Sequence, residues 1–244
     1  MDDSRQSLST QQTKDTNMDL THYGHACVLA DLPIGDGTAR VLFDPGTYSH
    51  DFESLRGIDI VLVTHAHPDH LDVERLVRLL ADNPEAELVL GADSMAALGD
   101  GVDIAGDRIH VVVPGEQLSV RGVDLDVTGS GEHACIHSAL PSSANNGYLV
   151  NGSLLHPGDA FDDIANPVEV LLLPIGGPWM KIEEGIDYLR QLAPQVAVPI
   201  HQAGLAPVHQ NLHCGLLKNL SPAGTDVIVL EHAVPQSFPT PSAM

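Results

Sequence analysis

Lysine is scarce in this chain: it occurs only at positions 14, 181 and 218, and with arginine it supplies 11 cations against 33 acidic side chains. The resulting formal net charge of -22 repels polynucleotides and anionic lipid surfaces over most of the molecule, so neither nucleic acid nor a membrane is an expected partner. Cysteine is sparse as well. Cys27, Cys135 and Cys214 are far apart, odd in number and without a Cys-x-x-Cys pair, which argues against a disulfide framework and fits a reducing, cytoplasmic setting. No apolar run approaches the roughly 18 residues of a membrane span, and no charged-then-apolar leader opens the sequence. A Gly-x-Ser-x-Gly motif is missing too, so covalent serine catalysis has no evident seat.

What the chain does have is concentrated histidine. Ile60-Val61-Leu62-Val63 reads as a buried strand, and directly beyond it stand His65, His67, Asp69 and His70. Residues two apart on an extended segment share a side, so His65 and His67 offer imidazoles to one ion. Pro68 bends the chain and turns Asp69 and His70 toward a second position. Imidazole nitrogen with carboxylate oxygen suits zinc, and also manganese or iron.

At 244 residues the chain is long enough for one two-sheet domain, expected over residues 18–234. Residues 1–17 are too polar to bury and read as a disordered tail, and residues 235–244 as a loose Pro-rich one. Strands are predicted in residues 21–30 and over 40–43, 58–63, 88–90, 108–113, 117–120, 123–127, 147–150, 153–156, 168–173, 196–200 and 227–230. Helices are predicted over 72–82, with Asp72 as its cap, and over 94–98, 183–192 and 208–219. Asn151-Gly152 signals a two-residue hairpin turn, and Thr128 to His133 reads as a Gly-rich loop. No repeat of 20 to 50 residues recurs, which leaves two sheets packed face to face with helices outside.

The His-x-His-x-Asp-His pattern after an apolar strand resembles the hallmark of the metallo-β-lactamase fold superfamily. The resemblance implies an α/β fold, a four-layer αβ/βα sandwich of two mixed β-sheets flanked by helices. It also implies further ligands at later strand ends: His133 after the Gly-rich stretch, Asp159 in Pro157-Gly158-Asp159 as a carboxylate bridging two ions, and His201 after Val196 to Ile200. On that pattern His65, His67 and His133 hold one metal, Asp69, His70 and His201 the other, and Asp159 lies between. Two divalent ions are expected, most simply Zn2+, with Mn2+ or Fe as options. Gly24-His25-Ala26, Phe43-Asp44-Pro45 and the stretch from Pro174 to Lys181 look like the branch of ascorbate-6-phosphate lactonase and N-acyl phosphatidylethanolamine phospholipase D.

Several other residues are singled out. Asp44 reads as a carboxylate that organises the metal loop. His25 either lines the cleft or packs within the first sheet, and His137 competes with His133 or faces substrate. Trp179, the only tryptophan, stands beside Lys181, a lone cation suited to an anionic substrate group. Cys135 reads as a small buried thiol, and His209 with His213 as a solvated helix face. The implied function is a hydrolase in which a metal-bridging hydroxide, oriented by the catalytic Asp69, attacks a small lactone, ester or phosphoester. An iron-dependent oxidoreductase or dioxygenase on the same ligand set is the alternative, and a non-catalytic binding module the third reading. Self-association is left open.

Overall fold

The computed structural model describes residues 17–99 and 106–239. The first part of the chain forms β1 (Asn17–His22), β2 (Val28–Ile34), β3 (Gly37–Phe43), β4 (Ile60–Val63), α1 (Val73–Asp82), β5 (Glu87–Leu90), α2 (Ala92–Leu98) and β6 (Ile109–Val111). The second forms β7 (Gln117–Val120), β8 (Val123–Glu132), β9 (Ala144–Val150), β10 (Leu154–His156), β11 (Val170–Pro174), α3 (Ile182–Leu192), β12 (Val196–Ile200), α4 (Pro207–Leu220), β13 (Asp226–Val227) and β14 (Gln236–Pro239). One seven-stranded sheet has the order β14-β1-β2-β3-β4-β5-β6 and the other β13-β12-β11-β10-β9-β8-β7. Both mix parallel and antiparallel neighbours.

Burial explains the layers. β4 and β11 are apolar and buried along their whole length, because each pairs in parallel inside a sheet covered on both faces. Their side chains alternate between a core shared by the two sheets, which holds Phe43, Leu62, Tyr148 and Leu172, and outer cores beneath the helices. Leu76, Leu79 and Leu80 seat α1 on the first sheet, and Tyr188 and Leu189 seat α3 on the second. The result is the expected four-layer αβ/βα sandwich. Asp72 caps α1 by accepting the Arg75 amide at 3.1 Å. Asn151 and Gly152 turn between β9 and β10 with φ of 49° and 63°, the left-handed pair that a tight hairpin requires.

Three segments differ from expectation. The Gly-rich stretch before His133 is no loop: β8 continues through it with a bulge between Thr128 and Gly131, which Gly129 and Gly131 absorb at φ of 94° and 86°. The last strand of the second sheet stops at Val227 rather than running to 230. Its partner β12 carries Pro199 where the next amide donor would stand, so the ladder ends after Ile228 bonds to Ala197. Residues 236–239, read as part of a loose tail, pair antiparallel with β1 and bury Phe238 in the shared core. The expected N-terminal tail lies outside the described residues except Asn17, which opens β1. No helix among the described residues is long and apolar enough to cross a membrane.

The sheets are also tied by polar contact. Tyr148 on β9 donates its hydroxyl to the Val63 carbonyl at 3.0 Å, a buried bond at the point where β4 ends. Tyr148→Phe leaves that carbonyl unpaired and is expected to lower stability by about 1–2 kcal/mol. A urea titration checks this: the midpoint falls with an unchanged slope, and an unmoved midpoint contradicts it.

Candidate metal centre

The chain between β4 and α1 is held in shape by a carboxylate from the neighbouring strand. Asp44, fully buried just after β3, accepts the Thr64 amide at 2.8 Å, the Thr64 hydroxyl at 2.7 Å and His70 Nδ1 at 2.7 Å. Thr47 donates its amide to the Pro68 carbonyl, and Asp72 donates to Pro45. Gly46 is required where these segments touch, since a Cβ there would stand 1.9 Å from the Asp69 carbonyl oxygen. Asp44 thus organises the loop as its sequence position suggests.

The loop meets side chains from three other strand ends. His65 Nε2 is 3.0 Å from His67 Nδ1, and the His133 ring, delivered by the end of β8, lies 5.0 Å and 4.6 Å from theirs. Asp69, His70 and His201 form a second group, the last arriving from the end of β12 with φ of 62°. Asp159, beyond β10, stands between them: its Oδ1 is 3.2 Å from His70 Nε2, and its Oδ2 is 3.4 Å from His133 Nε2 and 3.2 Å from His201 Nε2. Asn145 positions Asp159 by accepting its amide at 2.9 Å while donating to the Pro157 carbonyl.

Hydrogen bonding fixes which nitrogens face inward. Carboxylate and carbonyl oxygens only accept, so Nδ1 carries the proton in His70, bonded to Asp44, in His133, bonded to the Ala134 carbonyl, and in His201, bonded to the Gly176 carbonyl. Their Nε2 atoms therefore turn lone pairs toward one another, His70 and His201 at a separation of 3.0 Å. His133 Nε2 and Asp159 Oδ1 are buried with no hydrogen-bond partner among the described residues. Buried lone pairs facing lone pairs are unfavourable unless a cation or a proton lies between them. The donor set fits divalent metal ions, and each imidazole already has the outer partner that such a ligand needs.

The local electrostatics agree. Burial, reinforced by His70, holds His65 well below the usual imidazole range. Burial also opposes charge on His70, but Asp159 and Asp44 outweigh it and raise that imidazole well above the ordinary value, so that a proton on Nε2 can stand between the facing groups where a cation otherwise would. Burial opposes charge on Asp159 too, and the nearby His70 more than compensates, holding its carboxyl well below the usual carboxylate range. Asp69 falls to about 2, its hydrogen bond from His25 and the nearby His70 overcoming partial burial. At neutral pH the two acids are acceptors.

The remaining candidates separate. His25 is not merely beside the cleft: it packs on His201 at 3.9 Å between centroids and joins Asp69, His70 and His201 in one group. Its Nδ1 accepts the Ala203 amide, so Nε2 donates to Asp69 at 3.1 Å, while burial pushes its pKa down to about 4. Trp179 is buried with its ring 6.0 Å from His133 and 6.2 Å from His201. Lys181 parts from it. Lys181 is the N-cap of α3, exposed and with its amide bonded to Glu184, whereas Trp179 two residues earlier is buried. His137 is exposed and lines a cavity of about 500 Å3 with His67, Glu132 and His133. Cys135 lines the same cavity and is exposed, not buried as expected. A second cavity of about 490 Å3, bounded by His25, Tyr48, Asp69, Gly177 and His201, opens on the other side. His213 bonds the Ile175 carbonyl and takes no part. His25 thus stands at the cleft, the first of the two places its sequence allowed, whereas Asn145 was not identified from sequence, where it has no local signature.

Residues 19–201 match the family model of a beta-lactamase superfamily domain. Protein Rv0786c of Mycobacterium tuberculosis is 44% identical over 222 residues, spanning 89% of this chain and 99% of its own. The UPF0173 metal-dependent hydrolase MJ1163 of Methanocaldococcus jannaschii is 25% identical over 230 residues, spanning 86% and 95%. In fold, the chain is similar to Igni18, a metallo hydrolase of Ignicoccus hospitalis, with a TM-score of 0.70, 20% identity, and coverage of 93% of this chain and 100% of that one.

Removing the Asp44 charge tests the loop. Asp44→Asn should weaken zinc affinity roughly 10- to 100-fold, read by competition with a chromophoric chelator. Unchanged affinity would mean that His70 is oriented without it.

Proposed function

The chain belongs to the beta-lactamase superfamily domain family, and with that as premise we propose a dinuclear, zinc-dependent hydrolase of small carboxylic esters or lactones. That it is a metal-dependent hydrolase accords with the names of its relatives and with the cluster of histidine and aspartate that can hold metal. The number and identity of the ions, the ligand assignment and the substrate are the proposal. His65, His67 and His133 would hold one ion, Asp69, His70 and His201 the other, and Asp159 both. Bound there, such ions supply Lewis acidity, making hydroxide available at neutral pH and drawing charge from the scissile group.

The protein's own groups do the rest. Asp69 is a quarter exposed and reaches the cavity, where its carboxylate accepts a hydrogen bond from the attacking water and relays the proton toward the leaving oxygen. His25, donating from Nε2, fixes which face of that carboxylate is free. Trp179 walls the centre on one side and keeps bulk water from His133 and His201.

The observation that carries the substrate class is the absence of cations from both cavities: among the described residues, neither lining contains lysine or arginine. An anionic phosphoester would meet only the metal ions as counter-charge, against the acidic surface of the whole molecule. Esters and lactones need no such partner. The assignment to the lactonase and phospholipase branch rests on short segments such as Gly24-His25-Ala26, and the cytoplasmic setting on three free cysteines.

The test is hydrolysis of p-nitrophenyl acetate and γ-lactones by zinc-loaded protein. Asp69→Asn should lower kcat by roughly 10²–10⁴-fold, and chelation should abolish turnover until zinc is restored. Turnover that survives both exhaustive chelation and the substitution would contradict the reading.

A further inference from the structure

Beside the metal centre, on the far side of Trp179, lies a depression of about 310 Å3 lined by Ala134, Phe161, Trp179, Glu184, Asp187, Tyr188 and Gln191. Three of the lining residues are aromatic. The Phe161 ring is 5.2 Å from Trp179 and 4.9 Å from Tyr188, centroid to centroid, and Trp179 and Tyr188 are more than nine-tenths buried. The charged lining is of one sign. Glu184, Asp187 and Gln191 recur along one face of α3 at helical spacing, and among the described residues no lysine or arginine joins the lining. Asp162 and Asp163 also act on the Tyr188 phenol.

We propose that this depression is a subsite for an ammonium group of the substrate. Aromatic faces attract a cation through their quadrupole, carboxylates supply its counter-charge, and a neutral or anionic group would gain neither. The Tyr188 hydroxyl is buried without a hydrogen-bond partner among the described residues, so a donor remains for an oxygen carried close to the ammonium. Glu184 spends one carboxylate oxygen on the Lys181 amide, and Asp187 is exposed at the rim. The subsite adjoins the chemistry. Ala134 lines both the depression and the cavity over His67 and His133, and Trp179, in the wall of the depression, has its ring 6.0 Å from that of His133. The net charge of -22 would draw such a cation toward the protein. That the cation belongs to a substrate rests on the hydrolase reading; that the depression binds one does not.

The only tryptophan of the chain stands in the wall, so its fluorescence reports occupancy directly. Zinc-loaded protein is titrated with choline and with its uncharged isostere 3,3-dimethylbutan-1-ol at fixed ionic strength. Choline should perturb Trp179 saturably at roughly tenfold lower concentration than the alcohol. Asp187→Asn should weaken choline by roughly threefold or more and leave the response to the alcohol unchanged. Equal responses to the two probes, or no saturable response to choline, would overturn the subsite. In parallel, acetylcholine and 3,3-dimethylbutyl acetate are offered as substrates. Cleavage of both esters at equal kcat/KM with no choline preference sinks the subsite and leaves the hydrolase. Selective choline binding without cleavage of either ester sinks the hydrolase reading and leaves the subsite.

Discussion

Five imidazoles and two carboxylates converge at a largely buried point, and the rest of the structure answers to that constraint. Such a cluster repels itself unless cations occupy it, and it must be held open by outer partners that pull each ring back. Asp44 does this for His70, and backbone carbonyls do it for His133 and His201. His25 does it for Asp69. None of these partners lies next in sequence to the group it serves except Ala134.

The fold supplies those partners because the groups stand at or near strand ends of two packed sheets. His25 comes from the connection between β1 and β2, the main loop from β4, His133 from β8, Asp159 from β10 and His201 from β12. The sheets cannot slide without breaking the cluster. Tyr148 pins them where β4 ends, and Gly46 lets the β3 connection lie directly on the loop. The bulge in β8 is part of the same arrangement: pairing resumes at Gly131 opposite Asn145, the residue that positions Asp159.

Much of this was legible from residue order. Apolar runs flanked by glycine or proline marked β4, β11 and β12, and the capped period of α1 was clear, since burial on a strand or helix leaves a local pattern. The side chains that the motif and its resemblance singled out do converge. What escaped depends on contacts between distant segments. Phe238 is buried only because β1 offers an open edge, which a Pro-rich tail does not advertise. Trp179 and Lys181 are neighbours in sequence but part where α3 starts, so the expected cation never reaches the cavities. Asn145 gave no sign at all, its role being set by the turn at Gly158, where a Cβ would stand 2.1 Å from its carboxamide oxygen.

Anomalous diffraction from crystals of the zinc-loaded protein would show whether the cluster holds metal and at which residues. Two peaks per chain are expected, one bounded by His65, His67 and His133, the other by Asp69, His70 and His201, with the Asp159 carboxylate between them. No ordered metal at these residues, or a principal peak elsewhere on the chain, would contradict this ligand assignment.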